Sequence, residues 1–196
     1  MKIVPVTLEG TRVRLEPLTL EHHAALCEVG LEPELWRWTT ADVRSPEDLR
    51  RYLQRALQDQ REGHALPFAT IERASGKAVG STRFGSIDIT HRRVEIGWTW
   101  IGRAWQRTAI NTEAKFLMLR HAFEVWGALR VEFKTNAMNY RSRTAIARLG
   151  VKEEGTLRKH MISERGMPRD TVYYSILDTE WPSVRAGLED KMRSGA

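Results

Sequence analysis

Apolar and polar positions alternate along this chain with two different periods, and the changes of period divide it into elements. Thr11-Arg-Val-Arg-Leu-Glu-Pro17 alternates with period two and predicts a first strand. Leu20 to Leu31 has helical spacing. Ser45-Pro-Glu-Asp48 then opens a second helix with a cap, an early proline and acidic residues; its stripe is Leu49, Leu53 and Leu57, ending near Gln60. Leu66–Glu72 and Lys77–Phe84 flank Ala74-Ser-Gly76 and predict a hairpin, followed by a strand from Arg93 to Ile101. A long helix is predicted from about Ile110 to Trp126, stopped by Gly127. A strand over Leu129–Thr135, a short helix over Ser142–Leu149, strands over Glu154–Ile162 and Asp170–Leu177, and a helix from near Trp181 complete the pattern. Hairpins dominate and helices separate strands only in the second half. The fold class is therefore α+β with a mixed, mostly antiparallel sheet of about seven strands, not a doubly wound one.

The strand at Arg93–Ile101, a short basic turn and the following helix carry the clearest chemistry. A helix opening with Thr, Asn and Thr after a strand aims unsatisfied backbone N–H groups and a positive dipole end at one place. Such a place holds phosphate without a metal, so a phosphorylated cofactor is the first expectation. Within the strand, Val94, Ile96, Trp98 and Trp100 should share one face, and Glu95, Gly97 and Thr99 the other.

Composition narrows the classes. The 196 residues are 41% hydrophobic and 29% charged, which suits one domain over 1–196 with one substantial core. The net charge is +6, but the cations are dispersed without a block of five or six, so nucleic acid is not the expected partner. No apolar run is long enough for a signal peptide or a membrane span. The single cysteine, Cys27, cannot form an internal disulfide and points to the reducing cytoplasm. The six histidines lack metal-ligand spacing, so no metal is expected.

Three segments, Glu9–Leu18, Glu95-Ile-Gly-Trp98 through Thr112-Glu-Ala114, and Asn139-Tyr-Arg-Ser142 through Arg148-Leu-Gly150, resemble the GNAT superfamily of acyl-CoA-dependent N-acetyltransferases. Within it they are most similar to the branch of ribosomal-protein alanine N-acetyltransferases. The resemblance spans nearly the whole chain and implies the GNAT fold, with helices on both faces of the sheet. It implies acetyl-CoA as cosubstrate and a primary amine as acceptor. The family's phosphate turn has the form Gln/Arg-x-x-Gly-x-Gly/Ala; here Gln106-Arg-Thr-Ala109-Ile-Asn111 has no glycine. Ala109 keeps the close approach if its φ stays negative, and Arg107 adds a cation.

The resemblance carries roles onto particular residues. Gln106, Arg107, Thr108, Ala109, Ile110, Asn111 and Thr112 would bind the pyrophosphate. Trp100, Ile101 and Gly102 would border pantetheine lying between splayed strands, and Asn139 would hold its arm. Glu95 is the candidate base, its alternative being a structural carboxylate paired with Arg93 or Arg83. Many family members place a tyrosine where this chain has Ile146, so Ser142 becomes the candidate acid for the thiolate, or alternatively a helix cap. Trp36, Trp38 and Tyr173 are candidates for lining the acceptor cleft. An α-amine of pKa about 7.8 costs only ~0.5 kcal/mol to deprotonate near pH 7.4, against ~4 for a lysine. One carboxylate therefore suits a protein N-terminus. The rivals are a small-molecule amine, a CoA-binding module with little activity, and a nucleic-acid-binding domain. As to assembly, a monomer or a homodimer fits.

Overall fold

A computed structural model describes residues 1–194. Eight strands form one sheet: β1 Leu8–Glu9, β2 Val13–Pro17, β3 Leu66–Glu72, β4 Ala78–Asp88, β5 Arg93–Ile101, β6 Arg130–Asn136, β7 Lys152–Ile162 and β8 Pro168–Leu177. Their order is β1-β2-β3-β4-β5-β6-β8-β7, and every neighbour pair is antiparallel except β5 with β6. The expected mixed sheet is present with one strand more, because the N-terminal β1 adds two residues to the edge of β2.

Six α-helices cover the two faces: α1 His23–Gly30, α2 Pro33–Trp36, α3 Pro46–Arg61, α4 Ala109–Arg120, α5 Tyr140–Ala147 and α6 Trp181–Ser194. Helix α3 starts as the sequence predicts. The Ser45 hydroxyl accepts from Asp48 N at 3.2 Å, Pro46 stands in the first turn, and Leu49 and Leu53 are fully buried. The four-residue α2 was not predicted; it is too short to show a period. Helix α4 buries residues on every side, and α6 packs against it through Trp181 and Leu188. It ends in a π-helical turn at His121–Val125, where Trp126 folds back on Phe84 and His121. One core lies between α4, α6 and the sheet, with Val94, Ile96, Phe84, Val131 and Phe133. The other lies between the opposite face and α1–α3, with Leu26, Trp36, Leu49, Leu53 and Trp100.

The strict alternation predicted for β5 fails at one point. Gly97 pairs with Arg83 and Trp100 with Ser81, so Trp98 and Thr99 stand opposite the single residue Thr82. This β-bulge shifts the phase of the strand by one. Trp98 takes φ +49° and leaves the core face to stand 39% exposed, while Trp100 moves into the second core. Gly85 makes the turn of Trp98 possible, since a Cβ there would lie 2.3 Å from the indole.

Glu113 ties the start of β2 to α4. Its buried carboxylate accepts from the main-chain N–H of Thr11, Arg12 and Val13 at 2.7–2.9 Å and from the Thr11 hydroxyl at 2.6 Å. Gly10 leaves room for it, because a Cβ there would fall 2.6 Å from the carboxyl carbon. Removing the acceptor strands three main-chain donors. Glu113→Ala should cost about 3–5 kcal/mol in urea unfolding, and a loss under 1 kcal/mol would show that water replaces the carboxylate.

Candidate active site

Strands β5 and β6 pair in parallel only over Arg93–Glu95 with Arg130–Glu132. Beyond that point each stays with its other neighbour, β5 with β4 as far as Ile101 and β6 with β8 as far as Asn136. The sheet therefore opens into a V whose facing edges are free of each other. An extended amide chain can add to such an edge as another strand.

Glu95 stands at the apex, 7% exposed. Its Oε2 accepts from Ser86 Oγ at 3.0 Å and from Lys134 Nζ at 2.9 Å. Neither Arg93 nor Arg83 is its partner: Arg93 pairs with Asp88 and Glu132, and Arg83 with Asp59. Oε1 has no hydrogen-bond partner among the described residues and projects over Gly97, where a Cβ would come within 3.0 Å of it. One oxygen is thus anchored, and the other lies over Gly97. Burial pulls the Lys134 ammonium down, but Glu95, Tyr173 and Glu132 together hold it above the ordinary lysine value. Strict alternation in Arg130-Val-Glu-Phe-Lys134 was the available signal for Lys134, since it puts Glu132 and Lys134 on the Glu95 face.

Thr108 caps α4. Its hydroxyl donates to Trp105 O at 2.7 Å and accepts from Ile110 N at 3.3 Å, leaving the N–H groups of Ala109 and Asn111 for a ligand. Ala109 and Asn111 both keep negative φ, so the helix starts without glycine; the left-handed residue is Arg107, at φ +61°. Gln106 spans the mouth of the V. Its Nε2 donates to Ile101 O at 2.8 Å, and its Oε1 accepts from Arg141 of α5, a cation that the motif alone did not reveal. The Oδ1 of Asn111 is buried without a partner, and a ligand hydroxyl or amide N–H would satisfy it. A recess of about 630 Å³ adjoins this turn, lined by Thr11, Arg12, Arg73, Thr108, Ala109 and Ile110. Glu95 is not among its lining residues.

The remaining expectations divide. Thr112 follows in the first turns of α4, half-buried. The Ile101 carbonyl faces Gln106, but Gly102 gives its N–H to Val79 O at 2.8 Å and turns away from β6, its missing Cβ making room for Val29. The Trp100 side chain is taken by the second core, leaving only its main chain near the opening. Asn139, not Ser142, caps α5: its Oδ1 accepts from Ser142 N at 3.1 Å. Ser142 is half-buried in the first turn, and its hydroxyl has no partner among the described residues. Trp36 is 1% exposed and gives its indole N–H to Gly30 O at 2.7 Å, so it supports the cleft and does not line it. Trp38 is half-buried in the loop after α2, under the Arg37 guanidinium. Tyr173 covers Lys134 at 4.8 Å and so shares the face of Glu95. A clasp ties the β7–β8 hairpin to the loop after α2. At the tip of the β7–β8 hairpin, Arg165 donates to the carbonyls of Trp36 and Arg37, Glu164 N to Thr40 O, and Asp42 N to the Glu164 carboxylate.

A split sheet beside a helix start with free N–H groups suits an extended, phosphorylated ligand. The chain belongs to the GNAT family of N-acetyltransferases: the acetyltransferase (GNAT) domain model matches residues 12–152. It is 30% identical over 170 residues, 85% of this chain and 90% of the other, to YdaF of Bacillus subtilis (strain 168), which carries the provisional name ribosomal N-acetyltransferase. A GCN5-related N-acetyltransferase from Brucella melitensis superposes with a TM-score of 0.91 at 30% identity, covering 100% of this chain and 92% of that one. RimJ of Mycobacterium smegmatis, solved with CoA-disulfide, has the same fold, with a TM-score of 0.82 at 24% identity over 97% and 95% of the two chains. The enzyme uses acetyl-CoA as its acyl donor. Among the described residues no helix is long and apolar enough to cross a membrane, and no group of three His, Cys, Asp or Glu is placed to hold a metal.

If Arg141 and Arg107 serve the pyrophosphate, Arg141→Ala should weaken CoA binding about tenfold in calorimetry with kcat nearly unchanged. Arg107→Gly should weaken it too while raising Tm, since glycine relieves the left-handed strain. Unchanged affinity in both variants would move the phosphates elsewhere.

Proposed function

We propose that this enzyme transfers the acetyl group of acetyl-CoA by direct attack of the α-amine of a protein N-terminus, of the ribosomal-protein type. The observation that carries this is the half-anchored Glu95. With Oε2 held by Lys134 and Ser86, Oε1 is the one carboxylate oxygen offered to an amine over Gly97. A single carboxylate oxygen is adequate for an α-amine that is already partly neutral and poor for a lysine. The clasp between the hairpin tip and the α2–α3 loop narrows the approach on this face, which favours the end of an extended chain. The provisional name of YdaF points the same way.

In this mechanism Glu95 orients the amine and takes its proton directly or through water. Main-chain N–H groups of β5 beyond Glu95 polarise the thioester carbonyl, and the free hydroxyl of Ser142 relays a proton from solvent water to the departing thiolate. Asn139 holds the first turn of α5 in place and leaves its amide N–H₂ for the pantetheine arm. Trp38 and Tyr173 border the acceptor.

A thiol-release assay over N-terminal peptides, lysine side chains, polyamines and aminoglycosides tests the acceptor. Peptides should be preferred, with kcat/KM rising through a pKa near 7.8; acetylation confined to small polyamines would overturn the reading. Glu95→Gln should lower kcat by about 100-fold with little change in CoA affinity. A rate unchanged at every pH would remove Glu95 from the chemistry.

A further inference from the structure

Lys115 is a buried amine with no carboxylate partner among the described residues. It projects from α4 to the underside of the sheet, 5% exposed, and its partners are the hydroxyls of Thr82 on β4 at 2.9 Å and Thr99 on β5 at 2.5 Å. Glu113, on the same helix, is committed to the start of β2, and Arg83 and Glu95 lie on the opposite face of the sheet. Burial alone lowers its pKa to about 7. A neutral amine has two N–H donors, matched here by two hydroxyl acceptors. As plain filling, a methionine would serve better, since an amine buried without a carboxylate destabilises the fold.

What the amine holds is the bulge. The two threonine hydroxyls lie 2.8 Å apart, and each reaches Gly97 O, at 3.4 and 3.3 Å. Lys115 donates to both, so one hydroxyl gives its proton to the other and the second hydroxyl keeps its proton for that carbonyl. From the other face, the Tyr52 hydroxyl of α3 donates to Trp98 O at 3.3 Å, and Arg83 stacks 4.4 Å over the Trp98 ring. Successive carbonyls are thus drawn toward opposite faces, around a non-glycine residue in the left-handed region. Such a conformation persists only where its surroundings over-determine it. The bulge lies three residues past Glu95, on the part of β5 whose outer edge faces the V.

We propose that Lys115 is a positioning residue for acyl transfer: with Thr82 and Thr99 it clamps the β5 bulge and so aims the main-chain donors that polarise the thioester carbonyl. This rests on the placement of the thioester along β5 beyond Glu95. Lys115→Met keeps the length and removes the donors, and Thr99→Val removes one acceptor with almost no change of volume.

Isotope-edited infrared spectroscopy of bound acetyl-CoA, labelled with ¹³C at the thioester carbonyl, reads the polarisation directly. Wild type should show the carbonyl stretch below its value in free acetyl-CoA. In Lys115→Met and Thr99→Val it should move back toward the free value, with kcat reduced about tenfold or more and calorimetric CoA affinity within about twofold. The double variant should be no worse than the worse single one, as for residues acting as a unit. A folded Lys115→Met or Thr99→Val protein with the wild-type carbonyl frequency and kcat overturns the proposal. No shift in wild type would instead overturn the thioester placement on which it rests.

Discussion

The short parallel pairing of β5 with β6 is the constraint on which the site depends. Three residue pairs hold the two half-sheets together, and from there the strands part because each is bound to its other neighbour along its length. A parallel pair left unfinished exposes main-chain groups that a ligand can complete. The bulge at Trp98 sits on the opening side of that pairing and adds local twist, which separates β5 further from β6. The proposed cosubstrate and acceptor sites both rest on this one interruption.

Such an opening needs a firm base, and the charges there supply it. Lys134 lies between Glu95 and Glu132, while Arg130 links Glu132 to Glu154, whose pKa falls to about 2 chiefly through its bond to Arg130. Partly buried pairs are individually modest in stability, but here they set rotamers. The Glu95 carboxylate is held by one oxygen, so its other oxygen keeps one direction. The apolar packing lies on either side, in the α4–α6 core and the α1–α3 core.

Much of the site was legible residue by residue. The strand, turn and helix at Arg93–Arg120, the cap at Ser45 and the placement of Glu95 beside Gly97 follow from local pattern and capping chemistry. Ala109 keeps a negative φ, so the helix starts there without needing glycine. Other features were hidden for a definable reason. The helix after Asn139 starts two residues early because the Asn139 side chain, and not Ser142, supplies the cap. Trp36 looked like a cleft residue in an irregular stretch, yet a bond to Gly30 O and packing on Trp100 draw it into the core.

By itself the sequence determined the order and type of most elements, the mixed character of the sheet and the capped start of α4. These depend on periodicity and on side chains acting within a few residues of their own backbone. Only the tertiary structure decided which face Trp98 occupies, what pairs with Glu95, that Arg141 joins the phosphate turn, and that the β7–β8 tip clasps the α2–α3 loop. Each of these is settled between elements far apart in the chain. The bulge shows why: its conformation is held by Lys115 from one helix and Tyr52 from another, and no local pattern in β5 records either contact.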